Sequence, residues 1–390
     1  MASQDRVFNM IKRLAKDHIV DFAFIDRGNN DLKLNMDGLQ GICRKIIPIP
    51  ALNPYGRKIK RILLGIMIRI LKILTGLPVS YLYQSQKKYK SFLRKMIIEN
   101  NYDIVQIEYC YMSSVFRDIE GEIFKVVDTH GIAYKDEYLN IKKKRGNKIS
   151  ISQNREIEKI KKLESSILSS ADLNIAITAI DIDDLVDLSP NVNHIIIPIG
   201  QDLGRFNNYE LNTELNTILF YGSMGGVQNI YAFKRFWNNI YPIINQRIMD
   251  LKVLVVGANP PSEIKKLHDG KNIVVTGFVE DTRPYLSRSS VMILPLEIGV
   301  GFRGRTIEVM AMGIPIVGTH NALDNLGLQN GKQGFITDSD MEMADYLCKI
   351  LTDNLLSKQM SLECKKFVKA FDLEETYGKL SKYYFNLVCN

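Results

Sequence analysis

The 390-residue chain is 46% hydrophobic and 24% charged, an ordinary globular balance with length for two full cores. Its formal net charge of +8 favours anionic partners in general, whether phosphorylated substrates, lipid surfaces or nucleic acid. The five cysteines, Cys43, Cys110, Cys348, Cys364 and Cys389, form no C-x-x-C pair and histidine is rare, which excludes a disulfide framework and a zinc site and fits a reduced cytoplasm.

In chain order, residues 4–16 predict a helix, with Val7, Ile11 and Leu14 on one face. Residues 1–20 are charged throughout, so no signal peptide is expected there. Short buried strands are predicted at 20–26, 102–109, 123–129, 171–178 and 194–200. A second series follows at 217–223, 251–258, 272–278, 290–296 and 314–319. Amphipathic stretches separate most of these runs, as in YAFKRFWNNIYPII (231–244). Such alternation predicts an α/β protein with parallel sheets covered by helices on both faces. A polar, Asn-rich stretch follows Gly200. It divides an N-terminal domain (1–205) from a second doubly wound domain (206–370), and residues 371–390 are expected to form a helix crossing back to the first. The two domains would face a central cleft, and ligands are expected at the carboxyl ends of the strands. A doubly wound domain ordinarily opens on a strand and a glycine-rich turn. This one opens on a helix, so its first strand is expected to be missing.

From Gly38 to Ile98 there is no Asp or Glu, against thirteen Lys or Arg. Within that span residues 57–74 project as an amphipathic helix, with Arg57, Lys58, Arg61, Arg69 and Lys72 gathered opposite the apolar face. Arg69 and Lys72 argue against a spanning segment. The helix reads either as a core helix with a basic solvated face or as an element lying on an anionic membrane surface. No nucleic-acid module or interleaved aromatic platform is present, so nucleic acid is not expected as a partner.

The stretch GVGFRG (299–304) is literally G-x-G-x-x-G, the pattern of a dinucleotide loop. It stands late in the chain, and charged residues accompany it: Arg303, Arg305 and Glu308. A helix N-terminus with free N–H groups attracts phosphate, and two guanidinium groups beside it suit a diphosphate. Glu308 is an acceptor suited to ribose hydroxyls. The NAD reading retains one point in its favour, an acid at about the fingerprint's spacing, Asp324. No acidic metal motif stands at a suitable strand end, since Asp181 and Asp183 open a predicted helix, where acids suit the N-terminus. No metal and no cofactor beyond a nucleotide substrate are expected.

Several stretches together resemble glycosyltransferase family 4, the retaining GT-B enzymes that use nucleotide-sugar donors. They are VVDTHGI (126–132), SSADLNIAIT (169–178), IIIPIGQDLGRF (195–206), ILFYGSMGGVQN (218–229) and above all the block from Asn272 to Thr319. The resemblance implies a fold of two Rossmann-like domains. It implies that Arg303 and Arg305 hold the donor diphosphate, and that Glu308, the second glutamate of the family's E-x7-E motif, contacts the ribose. Backbone N–H groups of Gly301, Phe302, Thr306 and Ile307 would bind sugar and phosphate. Gly222 and Ser223 would form the turn facing the diphosphate, and Phe278 and Val279 would pack the nucleobase. His130 would meet the donor sugar, with Glu108 and Glu137 as further candidates and Cys110 as a small buried hydrophobe. The sequence departs from the family pattern at Val300, where the first glutamate of E-x7-E falls, and in the absent opening strand and glycine loop.

The implied activity is transfer of a sugar from a nucleotide-diphosphate sugar to a glycan or lipid-linked hydroxyl, with retention. It belongs to surface or capsular polysaccharide synthesis, in the cytoplasm and at the inner membrane face. The other readings are a non-catalytic or partner-dependent protein of the same fold, suggested by the shortened N-terminus, and an NAD-dependent oxidoreductase.

Overall fold

The computed structural model describes residues 2–26, 38–50, 87–119, 121–144, 149–297 and 304–389. The chain divides into two compact units. The first comprises Met1–Pro198 with Thr376–Asn390, and the second Ile199–Glu375. The proposed membrane-surface residues Arg57, Lys58, Arg61, Arg69 and Lys72 lie outside the described residues, as do Gly301, Phe302, Arg303 and Val300.

The first unit opens on helix α1 (Ala2–Leu14). Strands β1 (Asp21–Asp26) and β2 (Lys45–Pro50) follow and pair in parallel. Helix α2 (Lys87–Asn100) leads into a four-stranded parallel sheet of β3 (Ile104–Glu108), β4 (Phe124–Asp128), β5 (Leu173–Ala176) and β6 (Asn193–Ile196), in that order. Helices α3 (Ala133–Lys144), α4 (Ile151–Leu168) and α5 (Ala179–Leu188) connect its later strands. Two of them start on side-chain caps that the sequence dictates. Ser150 and Gln153 form a reciprocal capping box on α4, and Thr178 and Asp181 form another on α5. Asp181 is thereby used as a helix cap. All four residues of β5 are buried, as expected of a strand covered on both faces.

The second unit is a six-stranded parallel sheet of β7 (Thr217–Tyr221), β8 (Lys252–Val256), β9 (Ile273–Gly277), β10 (Val291–Leu294), β11 (Ile316–Gly318) and β12 (Gly334–Ile336). Their spatial order is β12-β11-β10-β7-β8-β9. Numbered within the unit, this is 6-5-4-1-2-3, the doubly wound Rossmann order. Helix α6 (Val227–Arg235) follows β7 and α7 (Gly304–Ala311) follows β10. Leu203 and Phe206 already belong to this unit's core. A final helix, α8 (Leu373–Cys389), begins here and continues into the first unit.

The ten predicted strands are all present, nine at narrower bounds and β6 at Asn193–Ile196 against a predicted 194–200. The stretch predicted as one helix at 231–244 is α6, then a π-helical turn at Phe236–Ile240, then a short helix at Tyr241–Asn245 with Pro242 in its first turn. Pro242 has no N–H to continue the preceding ladder, which gives a physical reason for the widened turn before it.

Candidate functional sites in the two units

In the first unit, parallel register sets Glu108 at the end of β3 directly beside Asp128 at the end of β4. Two residues past Asp128 the chain turns sharply. His130 adopts φ 56° and Gly131 φ 116°, so a non-glycine residue is held in the left-handed region. That turn is fixed from behind. Buried Glu164 of α4 accepts hydrogen bonds from the backbone N–H groups of Ala133 (2.9 Å) and Tyr134 (3.1 Å), which caps α3. The His130 ring stacks on Tyr109, with centroids 4.3 Å apart. Its Nε2 lies 2.6 Å from Glu108 Oε2.

Glu108 is held from its other oxygen as well. Gln106 donates to Oε1 at 2.6 Å, and Tyr384 of α8 donates to Gln106 at 2.5 Å. Asp128 is bound by Arg6 of α1, whose Nε donates to Oδ2 at 2.9 Å. Arg6 also donates to the Pro198 carbonyl at 2.8 Å. Burial pulls the His130 imidazole down, but the Asp128 and Glu108 carboxylates outweigh it and hold the imidazole above the ordinary histidine range. Burial, with Asp128 beside it, pushes the Glu108 carboxyl up against the pull of His130 and Arg6. The result is a hydrogen-bonded carboxyl–imidazole pair at a strand end.

Glu108, Asp128 and His130 each place a donor atom within 4.8 Å of the others, a spacing that could hold a cation. The Arg6 guanidinium already supplies a fixed positive charge to Asp128, and Glu108 and His130 are hydrogen-bonded to each other. Cys110 is buried, and Glu137 sits half-buried on α3.

In the second unit the strand order reverses between β7 and β10, and this is where an open α/β sheet gathers its ligands. Tyr221 ends β7, and its hydroxyl donates to Glu308 Oε2 of α7 at 2.9 Å. The Arg305 guanidinium lies over the Tyr221 ring, 5.2 Å from its centroid. Burial, with the Glu308 carboxylate adding to it, pushes the Tyr221 phenol far up, so it remains a donor. Sequence reasoning singled out Glu308 and Arg305 but missed Tyr221, which reads as the last apolar residue of a strand. The one available signal was a polar-tipped aromatic immediately before Gly222.

The turn after β7 is tightly built. Asn229 donates to the Ser223 carbonyl at 2.7 Å, and a Cβ on Gly222 would stand 2.9 Å from the same amide. Gly257, at the end of β8, has φ 155°, and a Cβ there would lie 1.9 Å from the Gly222 carbonyl oxygen. Helix α7 carries Thr306 and Ile307 in its opening residues, on the element that also presents Arg305 and Glu308. Gln201 approaches Gly304 so closely that a Cβ would be 3.0 Å from its amide nitrogen. Phe278, just past β9, is 76% exposed, while Val279 packs against the core. Glu297 pairs with Arg235 at 3.5 Å.

The dinucleotide reading of GVGFRG meets a topological obstacle. That stretch follows β10, the unit's fourth strand, whereas the fingerprint belongs after the first and its acid at the end of the second. The second strand, β8, runs into Gly257, Ala258 and Asn259, which carry no acid. Asp324 lies beyond β11 and pairs with His320 at 3.1 Å.

Residues 216–353 match the family model of glycosyl transferases group 1. No curated protein sequence matches the chain. Solved structures share the fold at low identity. A glycosyltransferase from Rickettsia africae aligns at TM-score 0.63 and 16% identity, over 100% of this chain and 95% of that one. HepE from Anabaena in complex with UDP aligns at TM-score 0.65 and 10% identity, over 98% and 96%. Sucrose-phosphate synthase from Thermosynechococcus elongatus aligns at TM-score 0.56 and 17% identity, over 77% and 78%. The fold is that of the GT-B glycosyltransferases.

Proposed function

We propose that this protein transfers a sugar from a nucleotide-diphosphate sugar to a hydroxyl of a glycan or lipid-linked acceptor, with retention at the anomeric carbon, in the synthesis of a surface polysaccharide or glycoconjugate. The observation that carries the reading is the Tyr221–Glu308 hydrogen bond at the switch point of a Rossmann-ordered sheet, inside the segment matching glycosyl transferases group 1. It presents a fixed carboxylate acceptor beside a helix N-terminus, the pairing that a ribose and a diphosphate require.

On this reading the donor lies on the second unit. Glu308 accepts from the ribose hydroxyls, and Phe278 and Val279 take the base. Arg303 and Arg305, with the backbone N–H groups of Gly301, Phe302, Thr306 and Ile307, hold the diphosphate and sugar against the Gly222–Ser223 turn. When the anomeric carbon leaves the diphosphate, the bonding pair goes to a phosphate oxygen, and these cations and dipoles stabilise the charge that develops there. The acceptor hydroxyl forms the new bond and releases its proton. The first unit takes the acceptor, and His130 with Glu108 serves its reacting end. HepE has been seen with UDP and glucose, which supports testing UDP-sugars first. No metal is required on this reading, and the protein works in the cytoplasm at a membrane surface. Among the described residues no helix is long and apolar enough to cross a membrane.

Thermal shifts with UDP, GDP and NAD test the donor assignment. Stabilisation by a nucleoside diphosphate and not by NAD is expected, and the reverse overturns it. Donor hydrolysis should disappear in Glu308→Ala and Arg303→Ala. Tight donor binding with no turnover on any acceptor would instead favour a non-catalytic protein of this fold.

A further inference from the structure

The first unit contains a cavity of about 630 Å³, within the range of small-molecule sites. It opens where the sheet is interrupted. Among the described residues β3 pairs with β4, and β1 pairs with β2, but β1 and β3 do not pair with each other. Residues of α1, α2 and α8 line it beside those of β1 and β3; Met10, Phe22, Phe24, Leu93 and Ile97 form an apolar stretch, and Asp21, Arg44, Tyr102 and Asp103 a polar one toward the start of β3. Lining residues follow β3 along its whole length, from Tyr102 to Glu108. At the carboxyl end of β3 the cavity reaches Gln106 and Glu108, the latter hydrogen-bonded to His130. Toward the end of α8 its lining residues surface as an exposed apolar rim, with Ile19 78%, Phe385 58% and Val388 50% exposed.

Apolar wall surface in an open cavity of this size gains free energy when a ligand displaces water from it. The cavity's apolar stretch, reaching Glu108 at one end, suits an apolar group with a polar end there. A carboxylate hydrogen-bonded to an imidazole accepts from a hydroxyl and repels a second anion, so the polar end is an alcohol rather than a phosphate or a carboxylate.

We infer that this cavity holds the aliphatic chain of a lipid alcohol, with the hydroxyl at Glu108 and the chain running along β3 toward the Ile19–Val388 rim. Taken with the proposed function, and resting on it for that step only, this makes the acceptor a hydroxyl borne on a hydrocarbon chain. The occupant enters from a lipid surface, because the open rim is itself apolar.

The test titrates the full chain with 1-hexanol, 1-octanol and 1-decanol by calorimetry. Each added methylene should tighten binding about fourfold, so decanol should bind over a hundredfold more tightly than hexanol. Sodium decanoate should bind more weakly than decanol. Ala23→Phe, on β1, and separately Met96→Trp, on α2, place bulk in the cavity. Each should abolish decanol binding while UDP binding and cooperative melting persist. An affinity independent of chain length, or decanol binding unchanged in both folded variants, overturns the inference. Decanol binding that follows chain length, in a protein that never turns over a nucleotide sugar, would leave the cavity assignment standing and remove the proposed function. UDP-dependent transfer with flat alkanol affinities would do the opposite.

Discussion

Arg6 and Asp128 form an ion pair in which neither side chain is exposed to solvent, tying the opening helix of the chain to the end of β4. The pair brings a guanidinium into the same buried cluster as Glu108 and His130. One further Asp128 oxygen, Oδ1, is buried without a hydrogen-bond partner, so Asp128 depends on Arg6 for its charge compensation.

Removing Arg6 should therefore be costly. Arg6→Met leaves a buried carboxylate uncompensated, and a loss of about 3–5 kcal/mol of unfolding free energy is expected in urea titration. Adding Asp128→Asn to the same chain should recover much of it, because the charge that needed a partner is gone. A single-variant loss below about 1 kcal/mol would show that the helix is anchored by its apolar face alone.

Stability should fall with rising pH through the titration of His130. Its folded pKa lies above the ordinary value of 6.5, so the contribution is fully present below that value and is lost as pH climbs through the folded pKa. Glu108, also raised, acts in the same sense from its ordinary value of 4.5 upward. The measurement is unfolding free energy against pH. In His130→Gln the slope above pH 6.5 should flatten, and an unchanged slope would assign the proton elsewhere.

Tyr221→Phe keeps the ring beneath Arg305 and removes only the donor to Glu308. A hydrogen bond to a charged group contributes about 1.5–3 kcal/mol, so UDP affinity should drop by roughly tenfold or more when Glu308 is no longer fixed. The melting temperature should move little. Affinity equal to that of the unmodified protein would mean that Glu308 is positioned without Tyr221.

Gly257→Ala tests the turn after β7. The methyl would meet the Gly222 carbonyl, which must shift, and with it the Gly222–Ser223 turn. Backbone strain of about 1–3 kcal/mol is expected, read as a lowered melting temperature together with weakened UDP binding. A stable protein with unaltered UDP affinity would separate this turn from the nucleotide site.

The secondary structure was largely legible because covered strands write themselves as apolar runs. β5, β7 and β10 are buried at every position, so no alternation disguises them. The strands that escaped notice are instructive. β2 reads KIIPIP, and its two prolines argue against a strand unless it stands at an edge, which its pairing with β1 alone among the described residues allows. β12 has three residues, too few to show a period.

The sites were legible in part. His130, Glu108, Arg305 and Glu308 stood out as charged or titratable groups at the ends of apolar runs. Arg6, Glu164 and Tyr221 did not, because nothing local marks them. Arg6 lies one step from the apolar face of α1, and its partner is 122 residues away. Glu164 looks like one more acid on a charged helix until its carboxylate is seen capping α3, some 30 residues earlier in the chain.

The sequence by itself determined ten of the twelve described strands, the alternation of strands with helices and the division into two α/β units, since each is written by burial or spacing within a dozen residues. The tertiary structure alone decided which buried carboxylate meets which cation, which tyrosine holds Glu308, and that the first sheet opens into a cavity ending at Glu108. Those relationships join residues far apart in the chain. Only the packing of parallel strands in register brings such residues within hydrogen-bond distance.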